Sequence, residues 1–225
     1  MKERGNIMEL NKYIDHTNLK ASANIRDIEK LCDEAIQYKF ASVCVHPYYV
    51  SLAHELLKDT NINVCTVVGF PLGQNTTSTK AYEAIEAIHN GANEIDMVIN
   101  IAALKNEDYD YVKDEIEEIR DSIDGKTLKV IIETCYLTEQ EIIKMTQICN
   151  DTFVNFIKTS TGFGTRGASL EDIKIINQHK NEILEIKASG GIKNYEQANH
   201  MIEAGATRIG TSSGIEIVTS RKEDE

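Results

Sequence analysis

Short runs of β-branched and apolar residues alternate with longer amphipathic stretches from one end of the chain to the other, and this rhythm constrains the fold most. Eight runs read as strands: Tyr13–His16, Ala41–His46, Asn63–Gly69, Glu94–Asn100, Leu128–Cys135, Phe153–Thr159, Glu185–Ser189 and Arg208–Ser212. Segments such as Val64-Cys65-Thr66-Val67-Val68 are nearly continuous in apolar character, which suits parallel strands covered on both faces. Helical periodicity falls between them at Ile25–Tyr38, Thr79–His89, 107–122, Thr138–Asn150, Leu170–His179 and Tyr195–Ala204. Ser22 and Asn24 are candidate N-caps for the first, and Asn90-Gly91 and Gly205 are stop signals. Such alternation leaves a closed barrel or an open doubly wound sheet. No GxGxxG follows the first strand, which weakens the dinucleotide-binding sheet. No Pro-rich linker or composition shift divides the 225 residues. The expected architecture is α/β, a single (β/α)8 TIM barrel over residues 1–225, with 1–7 and 219–225 as flexible termini.

A net charge of −12 argues against nucleic acid or an anionic membrane as a partner, although it leaves room for a small anionic substrate. No window approaches the roughly 18 apolar residues of a membrane helix, and the first residues lack the apolar stretch of a secretory signal. A cytoplasmic protein is expected. Five cysteines without a CxxC pair read as free thiols. No HxH, HExxH or His/carboxylate spacing supports a metal site.

In such a barrel the chemistry sits where strands run into helices. Lys158 and Lys187 lie inside otherwise apolar strands, the sixth and seventh. Lysine is almost never fully buried without a partner or a purpose. Desolvation and a second ammonium both favour the neutral amine that attack on a carbonyl needs. The bland alternative pairs one lysine with Asp96 or Glu133 as a structural ion pair, an even choice for a single strand lysine. Two lysines at equal height with one nearby acid favour Schiff-base chemistry, since an Asp–Lys dyad beside a second Lys suits proton shuttling around an iminium and enamine. Three small-residue turns end the last three strands: Ser160-Thr161-Gly162, Ser189-Gly190-Gly191 and Gly210-Thr211-Ser212-Ser213. Each alone is an ordinary turn signal; clustered, they suggest backbone N–H groups gathered around a phosphate. Cys44 shares a strand face with Ser42 and His46 and is expected to line the pocket, not to act as a nucleophile.

Tyr13-Ile14-Asp15-His16-Thr17, Ala41–Val45, Val68–Gly73 and Glu94–Asn100 resemble bacterial deoxyribose-phosphate aldolase, as do Lys129–Cys135, Phe156–Phe163, Ile186–Ile192 and Ala204–Ser213. The resemblance runs from Tyr13 to Val218. It implies a class I aldolase that reversibly cleaves 2-deoxy-D-ribose 5-phosphate to D-glyceraldehyde 3-phosphate and acetaldehyde, within deoxyribonucleotide catabolism. Lys158 would be the Schiff-base nucleophile, Lys187 the cation that favours its neutral form, and Asp96 the proton donor and acceptor. Gly162, Gly190, Gly191, Gly210, Ser212 and Ser213 would hold the phosphate, with Asp15, Cys44 and Thr161 also at the substrate. The resemblance implies no metal or organic cofactor, small phosphorylated sugar and aldehyde partners, and a homodimer.

Four features depart from the family pattern. His46 replaces a frequent Asn, Arg166 interrupts a loop usually Gly-Gly, Phe163 stands where some branches carry Lys, and an acidic tail replaces a terminal tyrosine. Another Schiff-base lyase, a transaldolase-like enzyme or a non-catalytic sugar-phosphate-binding barrel are the competing readings.

Overall fold

The computed structural model describes residues 10–220. Eight parallel strands close into a barrel in sequence order: β1 (Ile14–Asn18), β2 (Ser42–Val45), β3 (Asn63–Val68), β4 (Glu94–Val98), β5 (Thr127–Ile131), β6 (Phe156–Lys158), β7 (Glu185–Ser189) and β8 (Arg208–Thr211). β8 returns to β1 with Ile14 opposite Ile209 and Asp15 opposite Gly210. The expected (β/α)8 barrel is therefore the observed one. Closure removes every sheet edge, so no backbone ladder is left unpaired.

The surrounding helices are α1 (Ile25–Tyr38), α2 (Val50–Leu57), α3 (Thr77–His89), α4 (Ile101–Lys105), α5 (Tyr109–Ser122), α6 (Glu139–Asp151), α7 (Leu170–His179), α8 (Tyr195–Glu203) and α9 (Gly214–Thr219). In α1 the positions Ile28, Leu31, Cys32 and Ala35 are buried, the stripe that a 3.6-residue period presents to the sheet. Asn24, not Ser22, caps this helix: its side chain accepts from the Arg26 and Asp27 backbone N–H groups, and Asp27 answers from the other side. The main apolar core lies between barrel and helices, where Ile28, Phe40, Val64, Ile95, Met97, Ile116 and Ile157 meet.

Strand ends differ from the sequence expectation where apolar runs continue past the last ladder bond. The fifth run extends to Cys135, but β5 stops at Ile131. Ile132 remains buried, Glu133 then adopts a left-handed backbone, and Thr134–Tyr136 winds into a 3-10 turn. Phe153 was expected to begin the sixth strand; it is instead an exposed turn residue with φ of 53°, and β6 begins at Phe156. α2, α4 and α9 lack an expected counterpart because helices of five to eight residues show little periodicity. Thr219, the first residue of the expected flexible C-terminus, is the last residue of α9. The expectations for residues 1–7 and 221–225, with the departure at the acidic tail, lie outside the described residues. No helix among those described is long and apolar enough to cross a membrane.

Replacing Asn24 by Ala should remove the cap of α1 and cost about 1 kcal/mol. A fall in the urea midpoint with an unchanged slope would show it.

Candidate active site

Alternate residues of a barrel strand point inward. Here that rule gathers charges rather than the usual branched aliphatics. Asp15 from β1, Glu94 and Asp96 from β4, Lys129 from β5, Lys158 from β6, Lys187 from β7 and Arg208 from β8 meet in the interior. The strand register sets their heights, with Asp96 opposite Lys129, Lys158 opposite Lys187, and Lys187 opposite Arg208.

Asp96 is the junction. Its Oδ1 accepts from Lys129 Nζ at 2.8 Å, while Oδ2 accepts from both Lys158 Nζ and Lys187 Nζ at 2.7 Å. Below it, Asp15 takes Lys187 on Oδ2 at 2.5 Å and Arg208 on Oδ1 at 2.7 Å. Glu94 takes Lys129 at 2.5 Å and Arg208 at 3.1 Å. Burial opposes the charge on Asp96, yet Lys129, Lys158 and Lys187 together hold its carboxyl well below the ordinary carboxylate range. Asp15 is held down in the same way, against burial, by Lys187, Arg208 and Lys129.

The same charges act on the lysines. Burial does work against the ammonium of Lys187, but Asp15 and Asp96 outweigh it and raise the group above its ordinary value. Lys187 is a fixed cation. Burial likewise opposes Lys129, and Asp96 leads the charges that raise it. Among the described residues of this network, three carboxylates face four cations. Lys158 is the one in excess, since it shares the single oxygen that also serves Lys187. It is also the one that reaches the cavity.

That cavity, of about 780 Å³, opens at the C-terminal ends of the strands. Of the expected site residues, Lys158, Thr161, Gly162, Gly190, Gly191, Gly210, Ser212 and Ser213 line it. Gly190 and Gly191 have φ of 85° and 80°, which L side chains rarely adopt, and a Cβ on Gly190 would fall 2.9 Å from Gly167 Cα. Gly210 is small for another reason: a Cβ there would press on Lys187 Cε and Ser189 Cβ at 3.0 Å. The β8 glycine makes room for the buried lysine.

Other expectations change. Asp15 is fully buried inside the charge network and does not line the cavity. Cys44 is also fully buried, packed with Leu19, Cys65, Val67 and Phe70, and stays off the cavity wall. Asp96 and Lys187 are fully buried and off the cavity wall, and Asp96 Oδ2 joins Lys187 to Lys158. Among the described residues Glu133 pairs with no lysine; it accepts from the Thr161 backbone N–H and hydroxyl, fixing the turn after β6. Arg166 clasps Asp172 at 2.5 Å and donates to the Thr134 carbonyl at 3.2 Å. His46 donates to the Leu19 carbonyl at 3.0 Å, and Phe163 lines the cavity edge-on to Phe70, with centroids 5.4 Å apart.

Lys129, Glu94 and Arg208 were not singled out from sequence. The available signal was parity, because Glu94 and Asp96, and Arg208 and Gly210, stand two apart on one strand face. Two groups of possible metal-ligand atoms, Cys44–Cys65–Asp96 and Asp15–Cys65–Glu94, also arise only across strands, which linear motif spacing cannot show. Lysine ammoniums already partner their carboxylates, and Lys129 Nζ lies 3.3 Å from Cys65 Sγ. Burial pushes the Cys65 thiol well up.

The family model described as DeoC/LacD family aldolase matches residues 10–220. The chain is 52% identical over 225 residues to the deoxyribose-phosphate aldolase of Caldanaerobacter subterraneus subsp. tengcongensis, covering 99% of this chain and 97% of that protein. Among solved structures, an aldolase named QR15 superposes with a TM-score of 0.92 at 44% identity, covering 96% of this chain and 97% of that one. The deoxyribose phosphate aldolase of Aeropyrum pernix, described as a unique tetramer, superposes with a TM-score of 0.89 at 29% identity, covering 95% and 91%.

The ion network generates two predictions. Lys129→Met takes away the ammonium that Glu94 Oε2 and Asp96 Oδ1 share and should cost about 3–5 kcal/mol, whereas Lys158→Met removes a cation from an oxygen that Lys187 still serves and should leave the thermal midpoint nearly unchanged. Denaturation of both variants at pH 7 distinguishes the two lysines. Asp15 and Asp96 carry lowered values, so their stabilisation is complete above the ordinary 3.8 and is lost as pH falls below it. The wild-type thermal midpoint should hold to about pH 4 and drop beneath it. Asp15→Asn should start lower at pH 7 and decline less steeply in acid.

Proposed function

The chain belongs to the DeoC/LacD family of aldolases, and from that premise we propose that it reversibly cleaves 2-deoxy-D-ribose 5-phosphate through a Schiff base on Lys158. The observation that carries the assignment to Lys158 is its position: the one cation of the interior network in excess of carboxylate, at the floor of the cavity, 2.7 Å from Asp96 Oδ2. Lys187 and Lys129 are committed to ion pairs; Lys158 is the lysine that can give up its proton without stranding a buried carboxylate.

In the proposed reaction the Lys158 amine adds to the C1 aldehyde of the open-chain sugar. Loss of water from the carbinolamine leaves an iminium at Nζ, a cation where the ammonium stood, so Asp96 Oδ2 stabilises it from the same place. The iminium then accepts the electron pair of the C2–C3 bond as the C3 hydroxyl loses its proton. D-Glyceraldehyde 3-phosphate departs and an enamine remains. Protonation of the enamine at C2 and hydrolysis of the iminium release acetaldehyde and restore the amine. Asp96 exchanges the proton at Nζ, and Lys187, held charged by Asp15 and Asp96, shares Asp96 Oδ2 with the reacting nitrogen.

The phosphate is proposed to rest on the turns at Thr161-Gly162, Gly190-Gly191 and Ser212-Ser213, which share the cavity wall with Lys158. With phosphate held there, C1 is directed inward to Nζ. Asp15 has the supporting role of anchoring Lys187 rather than touching sugar.

Borohydride added in the presence of deoxyribose 5-phosphate should reduce the imine and leave a stable adduct on Lys158, identified by peptide mass. Lys158→Ala should lower retro-aldol turnover by roughly 10³-fold or more while the barrel keeps its fold. An unmodified Lys158 in a fully active sample, or a Lys158→Ala variant that still releases aldehyde at the wild-type rate, rejects the mechanism.

A further inference from the structure

We infer that His16, held by Glu34, is a positioning residue for the turn that receives the substrate phosphate. The inference rests on the phosphate placement proposed above. It concerns an imidazole–carboxylate pair, buried at His16 and half-buried at Glu34, on the opposite face of β1 from Asp15.

His16 follows Asp15 on β1, so its side chain points out of the barrel interior toward α1. Only 3% exposed, it borders the same cavity as Lys158, Ser212 and Ser213, as does Glu34. Nε2 lies 2.8 Å from Glu34 Oε2, and the ring leans on Phe40 with centroids 4.9 Å apart. The carboxylate requires a proton on Nε2, which fixes both ring plane and tautomer. In the neutral ring Nδ1 is then a lone-pair acceptor. It is buried and has no hydrogen-bond partner. Leaving such a group unpaired costs on the order of 1–3 kcal/mol, so packing alone does not account for a histidine here.

What Nδ1 faces is the start of α9. A Cβ added to Gly214 would stand 2.9 Å from Nδ1 and 3.1 Å from both Phe40 Cζ and Ile14 Cγ2. Gly214 therefore sits against the imidazole with no room for a side chain. The preceding residues are Ser212 and Ser213, and the Ser213 N–H donates to Thr211 Oγ1, whose own hydroxyl donates to the Ile192 carbonyl beside Gly190-Gly191. His16 is thus the backstop of a segment linked to a second candidate phosphate turn. The ring sets where the β8–α9 turn stops, and Glu34 sets the ring.

The test compares kcat and KM for deoxyribose 5-phosphate and for unphosphorylated 2-deoxyribose, with a thermal melt of each variant. His16→Leu and Glu34→Leu should raise KM for the phosphorylated sugar about tenfold, equivalent to about 1.4 kcal/mol, with kcat and the reaction of deoxyribose little changed. Glu34→Gln keeps an acceptor oxygen for Nε2–H and should retain most of the wild-type KM. Gly214→Ala, which intrudes on Nδ1 from the other side, should reproduce the rise and supplies the decision if His16→Leu does not fold. Equal losses on both sugars, or an unchanged KM in the folded variants, overturns the role of His16. A wild-type enzyme that shows no preference for the phosphorylated sugar instead overturns the phosphate placement itself, and the inference with it.

Discussion

Asp96 Oδ2 receives two ammonium groups from two neighbouring strands, and the remainder of the barrel interior is arranged to make that tolerable. A carboxylate removed from water needs compensation of several kcal/mol, and this one obtains it from three lysines. Those lysines need carboxylates in turn, which brings in Asp15 and Glu94, and these bring in Arg208. Few substitutions in this layer are independent. Removing one partner strands another.

The same network gives the candidate site its direction. Asp15, Glu94 and Asp96 hold Lys129, Lys187 and Arg208 off the cavity wall, and the fourth cation, Lys158, reaches the cavity from Asp96 Oδ2. Small residues adjust the layer to the lysines: Gly210 leaves the volume that Lys187 occupies. Above it, the loops are held by their own contacts. Glu133 ties the turn after β6 through Thr161, and Ala168 donates to the Ser189 and Gly190 carbonyls to bind the β6–α7 loop to the turn after β7. Arg166 occupies itself with Asp172 and Thr134, so its departure from the family pattern is absorbed in loop structure.

Much of this was legible in the residues. The alternation of strand and helix periods identified the barrel, and α1 and α7 fall on their expected bounds because long amphipathic stretches with clear caps have few competing conformations. Lys158 and Lys187 were visible because lysine violates the apolar pattern of a buried strand. Lys129, Glu94 and Arg208 violate it equally, yet their importance depends on partners 33 to 193 residues away. Asp15 was expected at the substrate from the family resemblance, and Cys44 from its strand face as well; depth within the barrel is set by strand tilt and register, and neither reaches the cavity wall.

Sequence alone determined which side chains are inward, since a strand has a period of two, and which turns accept positive φ, since glycine was present to allow it. It also determined that two lysines would be desolvated. Only the tertiary structure decided what that desolvation means, because the protonation of a buried group depends on charges brought within 3 Å by closure of the sheet. Closure placed two carboxylates on Lys187 and a shared one on Lys158, turning two similar lysines into a fixed cation and a candidate nucleophile.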